Sequence, residues 1–286
     1  MRKLEFIAKT NNISVKSVLK NEFNMASSVI TALKNSGGIL VNEINVTVRK
    51  TMNAGDVLKL IIPETQSKNI VKTPGELDVL YEDEDILCVN KPAGMPTHPS
   101  QNHYNDTLAN YVCWYYKDFP FTFRVSNRLD SYTSGIVIIA KNMYSASFLC
   151  TESFRKNMHK TYYALCRGKL KNKKGTVTQN IARCEGSTIK REVSPLGKHA
   201  QTHYEVIKEI GDNSLVKLNL KTGRTHQIRV HMAYIGNPLV NDFLYDDKAE
   251  EGKHFFLHCG KISFIHPCTK KLIDIEANFD TNKNGV

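Results

Sequence analysis

The chain is read as an α+β protein with a mixed, mainly antiparallel central sheet, preceded by a small α/β module. Three observations carry that reading. From Leu77 onward, short β-branched runs recur as neighbouring pairs, with few helical signals among them. Residues 1–63 have their own helix–helix–strand order and end at a polar segment. The 286 residues are 41% apolar, as in soluble globular proteins. No run approaches the ~18–20 apolar residues of a membrane span.

Taken in order, Val15, Val18, Leu19 and Phe23 share one helical face, and Met25, Val29, Ile30 and Leu33 share another. Gly37-Gly38 ends the second helix. Strands are expected at Ile39–Val41, Val46–Val48 and Val57–Ile62, the last after an Asn53-Ala54-Gly55-Asp56 turn. Residues 64–76, ETQSKNIVKTPGE, have no apolar period and read as a linker. The main domain spans 77–281 and a tail 282–286. Its expected strands are Ile86–Val89, Gly135–Lys141, Tyr162–Cys166, Thr202–Ile207, Leu215–Leu220 and Phe255–Ile265. Helices are expected around Asp106–Lys117 and Ser145–Asn157.

A net charge of +11 points to a polyanionic partner, because neutralised phosphates release counterions. The first 63 residues hold nine Lys/Arg against four Asp/Glu, a net of +5. Seven scattered cysteines without a C-x-x-C pair suit reduced thiols, not a disulfide framework or a zinc site. Met1-Arg2-Lys3-Leu4-Glu5 leads into no signal-peptide core, and the cytoplasm is the simplest address.

Arg128-Leu129-Asp130 is the most informative triplet. It stands before a Thr133-Ser134-Gly135 turn and the uninterrupted apolar run Ile136–Ala140. That run reads as a buried strand, so Asp130 lies on the loop feeding it, where a rigid scaffold commonly presents reactive groups. Taken alone, the triplet would be a surface ion pair or a turn cap. Three more blocks accompany it: Ile86–Met95 (ILCVNKPAGM), Lys160–Leu165 (KTYYAL) and Thr222–His231 (TGRTHQIRVH).

In this order and at these spacings, the four blocks resemble the RluA-type pseudouridine synthases, from about Leu77 to Phe279. Asn11–Pro63 resembles the alpha-L RNA-binding motif, and its Lys16, Lys20 and Lys34 are the expected RNA contacts. The resemblance implies a pseudouridine synthase fold and isomerisation of uridine to pseudouridine within ribosomal or transfer RNA. It implies no cofactor and no metal, and DNA and membrane partners are not expected. A monomer is expected.

The resemblance also assigns roles. Asp130 matches the catalytic aspartate, Arg229 the arginine that pairs with it, and Tyr162 the active-site tyrosine. Arg128 is placed to fill the space left by a flipped uridine. Ile228 walls the uracil pocket, and Thr133 and Asn127 complete the expected substrate contacts. The family usually has histidine where Asn127 stands, so a group that titrates near neutrality is replaced by an amide that does not. An asparagine keeps a donor and an acceptor at similar reach.

Rival readings are a degenerate synthase fold kept for RNA binding, a methyltransferase and a glycosidase. No G-x-G-x-G is present for a nucleoside cofactor, and the motifs supply one obvious carboxylate where a glycosidase wants two. His226 and His231 do not suggest a metal site, since five helical positions separate side chains by ~140°.

Overall fold

In a computed structural model of the chain, residues 1–67 and 69–279 are described; the expected tail at 282–286 lies outside them. The N-terminal module runs β1 (Lys3–Ile7), β2 (Ile13–Ser14), α1 (Val15–Asn21), α2 (Ser27–Asn35), β3 (Ile39–Val41), β4 (Ile44–Asn45), β5 (Thr51–Met52) and β6 (Val57–Ile61). Its main sheet has the order β1-β6-β3-β4. Val15, Val18, Leu19, Val29 and Leu33 from the two helices bury against Leu58, Leu60 and Ile62. The Ser14 hydroxyl accepts from the Ser17 N–H at 3.2 Å and so caps α1. Gly38 is required by close packing, since a Cβ there would overlap the Ile61 carbonyl.

Two details differ from expectation. β1 was not anticipated; it pairs along β6 from Lys3↔Ile61 to Ile7↔Val57. Val46–Val48 is not a strand. The Val46 N–H still donates to the Ile39 carbonyl of β3 at 3.0 Å, but the backbone then leaves the ladder, and the Val48 carbonyl accepts from the Lys16 N–H at 3.0 Å at the open end of α1.

Residues 64–76 carry no regular element, yet they form a strap against the main domain. The Ser67 N–H donates to the Phe121 carbonyl at 3.0 Å, and Asn110 Nδ2 donates to the Val71 carbonyl at 2.8 Å. The polar composition read as a linker instead satisfies the backbone groups of its neighbours.

The main domain continues β7 (Val79–Glu82), β8 (Ile86–Lys91), α3 (Leu108–Tyr115), β9 (Ser134–Ala140), α4 (Met143–Leu149), α5 (Glu152–Asn157), β10 (His159–Arg167) and β11 (Lys174–Thr178). Then follow β12 (Ile181–Arg183), β13 (Arg191–Val193), β14 (Gln201–Ile210), β15 (Asn213–Leu220), α6 (Gln227–Tyr234), β16 (Leu257–Ile265) and β17 (Leu272–Glu276). The sheet order is β11-β14-β15-β10-β16-β9-β8-β7, with β17 added on β16. Every described pairing is antiparallel except the short β9/β16 contact at Ser134↔His258 and Gly135↔Cys259. This is the expected mixed, mainly antiparallel sheet. The helical signal expected over Ser145–Asn157 resolves into α4 and α5. Asn142 and Thr151 each cap a separate start by accepting from the Ser145 and Phe154 N–H groups.

The two units share packing. Tyr144 of α4 is buried in the N-terminal core and meets Phe23 edge-on at 6.4 Å. Arg2 donates to both Asp85 oxygens, at 3.1 and 3.0 Å.

Candidate active site

Asp130 sits on the loop entering β9, with its side chain about one-third exposed, 34%. The loop is tied from several sides. The Thr133 N–H donates to the Asp130 carbonyl at 3.0 Å, which closes the turn. The Thr97 hydroxyl donates to the Leu129 carbonyl at 3.0 Å. Gly135 adopts φ 109°, and a Cβ there would overlap the Cys259 backbone, so this crossing of β9 and β16 tolerates only glycine.

Lys91 ends β8 directly opposite Gly135 and is fully buried. Its ammonium donates to the carbonyls of Pro92, Met95 and Ser131 at 2.8, 2.7 and 3.0 Å, binding the Pro-Ala-Gly bend to the Asp130 loop. Burial pushes its pKa down to about 7, partly opposed by the Asp130 charge.

Asn127 is also an anchor. Its Nδ2 donates to the Ile136 carbonyl at 3.0 Å, and its Oδ1 accepts from the Ile138 N–H at 2.9 Å. Both ends of the amide are spent on β9. This corrects the expectation of a substrate contact: the residue is 5% exposed and holds the loop to the strand. Thr133 is 2% exposed, and among the described residues its hydroxyl has no hydrogen-bond partner. Arg128 is exposed between these two buried neighbours.

Arg229 enters from the first turn of α6 and is 2% exposed. Its Nε and Nη2 donate to the two oxygens of Asp242, at 2.6 and 2.7 Å, a bidentate pair that fixes the guanidinium plane. The remaining nitrogen, Nη1, faces Asp130 Oδ2 at 3.5 Å. The rings of Phe255, Tyr245 and Phe243 surround the guanidinium carbon at 4.5, 5.1 and 5.4 Å. Burial alone would lower the Arg229 pKa, but Asp242 and Asp130 reverse that, and it rises. The cation is therefore permanent, dry and aimed.

Tyr162 lies on β10, across β16 from the Asp130 loop, in register with Cys259. It is 6% exposed. Burial first, then Cys259 and the charge of Asp130, push its phenol well above the ordinary range, so it stays protonated. Tyr163 takes the opposite face and packs on Phe279 at 4.8 Å. Ile228 is buried in the same apolar cluster as Tyr162, Leu129 and Phe255.

Sequence reasoning missed four residues here. Asp242 follows the Asn237-Pro238 turn, where an acid in a loop carries no signal of its own. Lys91 lies inside the block Ile86–Met95, where nothing local marks it as an anchor. His226 was weighed only as a metal ligand; its Nε2 lies 3.7 Å from Asp130 Oδ2, and its Nδ1 3.0 Å from the Tyr245 hydroxyl. Tyr245 is the fourth. His231 points elsewhere, to Thr202 and the Gln179 carbonyl, so the two histidines do not converge.

Comparison with known proteins decides the family. Residues 85–234 match the family described as RNA pseudouridylate synthase. YhcT of Bacillus subtilis, named an uncharacterized RNA pseudouridine synthase, is 38% identical over 94% of this chain and 91% of its own length. The ribosomal large subunit pseudouridine synthase D of Blochmanniella floridana is 33% identical over 82% of this chain and 78% of its own. Among solved structures, human RNA pseudouridylate synthase domain containing 1 superposes with a TM-score of 0.61 at 26% identity, over 73% of this chain and 86% of that one. The chain belongs to the RNA pseudouridine synthase family.

The synthase holds a second group of acids and a histidine, Asp83, Asp85 and His266, whose oxygen and nitrogen atoms lie within 4.8 Å of one another. Their lone pairs are already occupied. Asp83 accepts from Tyr81, His266 and two backbone N–H groups, and Asp85 from Arg2, Asn142 and Ser145. A cation would have to displace the Arg2 guanidinium, so this is a structural network. Lys16, Lys20 and Lys34 of the synthase are exposed on α1 and α2. The Lys20 ammonium also donates to the Met25 carbonyl and the Ser27 hydroxyl, both at 3.2 Å. No described helix is long and apolar enough to cross a membrane.

Proposed function

We propose that this synthase isomerises specific uridines in structured ribosomal or transfer RNA, with Asp130 as its nucleophile. One observation carries the reading. Among the described residues, the Asp130 carboxylate accepts no hydrogen bond, yet a buried guanidinium faces it at 3.5 Å. Its lone pairs stay unspent beside a fixed positive charge, which is what a nucleophilic carboxylate needs.

In the reaction the N1–C1′ glycosidic bond breaks, the uracil turns, and C5 bonds to C1′; the proton leaves C5 and N1 gains one. Atoms and electrons balance, so no co-reactant is required. Tyr162, protonated and buried beside the acid, stacks on the base; because its phenol keeps its own proton, the C5 proton passes to a bound water that the hydroxyl orients. Ile228 supplies apolar wall, Thr133 closes the Asp130 turn with its hydroxyl buried and, among the described residues, unpartnered, and exposed Arg128 fills the vacated stack. The two helices and hairpin of the N-terminal module support its reading as an alpha-L RNA-binding domain. We take the synthase as a monomer and the cytoplasm as its compartment. Because the Asn127 amide is spent on backbone, the one feature that favoured a degenerate, binding-only protein loses its force.

The test is release of tritium from C5-labelled uridine in RNA. The wild type is expected to release it. Asp130→Asn should release none above background while binding RNA within about threefold, since the charge field is nearly unaltered. Full turnover by that variant would refute the nucleophile. For the module, replacing Lys16, Lys20 and Lys34 together by alanine should lower the log–log salt slope of RNA binding by up to ~2. An unchanged slope would remove RNA from that face.

A further inference from the structure

His226 is the one non-glycine residue of the site with a left-handed backbone, φ 55° and ψ 20°, at the N-cap of α6. That conformation is unfavourable for a side-chain-bearing residue and persists where its surroundings fix it. Its imidazole is 12% exposed and lies between two groups. On one side Nδ1 is 3.0 Å from the Tyr245 hydroxyl; on the other Nε2 is 3.7 Å from Asp130 Oδ2. The Tyr245 oxygen already accepts the Arg191 backbone N–H at 2.9 Å, from the start of β13. A phenol has one proton to give. With that acceptor site filled from β13, the proton is free to go to Nδ1, which leaves the imidazole proton on Nε2.

We propose that His226 is a positioning residue for Asp130, held by Tyr245 in the Nε2–H form, with Tyr245 itself set by the backbone of the β12–β13 hairpin. The inference rests on the reading of Asp130 as nucleophile. It completes the surroundings of that carboxylate: a fixed cation at 3.5 Å from Arg229 and a neutral N–H from the His226 ring. Burial keeps His226 neutral, lowering its pKa; Asp130 and Asp242 oppose this, while Arg229 and Arg191 add to it. A neutral donor steers the carboxylate without a second full charge that would bind it too tightly to attack. The hairpin, packed on α6 through Ile181, Val193 and Val230, thereby sets the orientation of a group in the site.

The test combines an observation on the intact wild type with single-turnover kinetics. In 15N-imidazole-labelled protein, Nδ1 of His226 should carry the signal of an unprotonated nitrogen and Nε2 that of a protonated one; Tyr245→Phe should turn this into a tautomer mixture. In tritium release at saturating RNA, His226→Ala is expected to slow the single-turnover rate ~30-fold, about 2 kcal/mol, with little change in RNA affinity. His226→Gln, which returns an N–H near Nε2, should recover most of that loss, and Tyr245→Phe should slow the step ~10-fold. A protonated Nδ1 in the wild type, or a His226→Ala rate equal to wild type, would overturn the inference. Equal losses for His226→Ala and His226→Gln would do the same. Failure of the nucleophile reading shows separately, as turnover by Asp130→Asn.

Discussion

Two clusters in this molecule use the same parts, aspartates, one arginine and one histidine, and put them to opposite uses. In the first, Arg2 grips Asp85 with two nitrogens, and His266 donates to Asp83 from Nε2 at 2.8 Å. Two backbone N–H groups, at 3.2 and 3.0 Å, fill His266 Nδ1 and so fix its proton. In the second, Arg229 grips Asp242 in the same two-nitrogen way, and His226 is oriented through its own Nδ1. The difference is Asp130. It stands 3.5 Å from Arg229 and 3.7 Å from His226, close enough for charge and too far to be consumed. A saturated carboxylate holds a fold together; Asp130, held just short of saturation, keeps lone pairs for the attack proposed for it.

The sharpest way to break this comparison is to neutralise one acid in each cluster. Asp130→Asn should abolish label release, a loss of at least ~10³-fold, and move the melting temperature little, because no described hydrogen bond is lost. Asp85→Asn should do the reverse. Its side chain is 3% exposed and serves Arg2, Asn142 and Ser145, so removing the charge should cost about 3 kcal/mol in denaturant unfolding, with turnover per folded molecule preserved. Equal stability losses in the two variants would mean that Asp130 is a structural acid after all.

Asp242→Asn probes the contact between the two uses, because Asp242 is saturated while its partner Arg229 also faces Asp130. An amide can keep one of the two N–H bonds but not the planar pairing. Both readouts should move: about 2 kcal/mol of stability and a ~10-fold or greater fall in rate, as the guanidinium loses its aim. A fall in stability at an unchanged rate would show that the aromatic cage of Phe255, Tyr245 and Phe243 orients Arg229 without Asp242.

How much of this the sequence shows depends on the distance over which each interaction acts. Ile136–Ala140 and Ile86–Val89 were legible as buried strands because burial on both faces leaves an unbroken apolar run. The expectations for Asp130, Tyr162 and Arg229 rest on recognisable local blocks, and the fold brings Asp130 and Arg229 within 3.5 Å. Asp242 and Lys91 were not legible, since a charge's partner is decided by which loops the fold brings together: Arg229 lies 13 residues from Asp242, and Ser131 lies 40 from Lys91. Asn127 was legible as a departure but not as an anchor; its two bonds reach β9, 9 and 11 residues on. β1 escaped because its five residues form a strand only through pairing with β6, from Lys3↔Ile61 to Ile7↔Val57, at least fifty residues later. The Ser145–Asn157 helix split for a local reason, the Thr151 cap, that its composition masked.

The smallest effect, and the finest test of the saturated cluster, is its acid sensitivity. Burial alone would raise the Asp85 carboxyl, but the hydrogen bonds from Asn142 and Arg2, with Cys268 close by, more than reverse this, and its pKa is lowered. Asp83 follows the same pattern: burial raises it, and the Asp85 and Ile86 backbone N–H groups, Tyr81 and His266 bring it below the usual range. A carboxylate whose folded pKa lies below its unfolded value of ~3.9 adds stability above that pH and loses it as pH falls through the folded value. Melting curves from pH 6 down to pH 3 should therefore show the wild type losing stability below about pH 4. Asp85→Asn, already less stable at pH 6, should lose less over the same interval, because one of the two titrating acids is gone. Parallel curves for the two proteins would mean that the Arg2 contact between the N-terminal module and β8 is not maintained by charge. The carboxylates at the module boundary would then differ from Asp130 in burial alone.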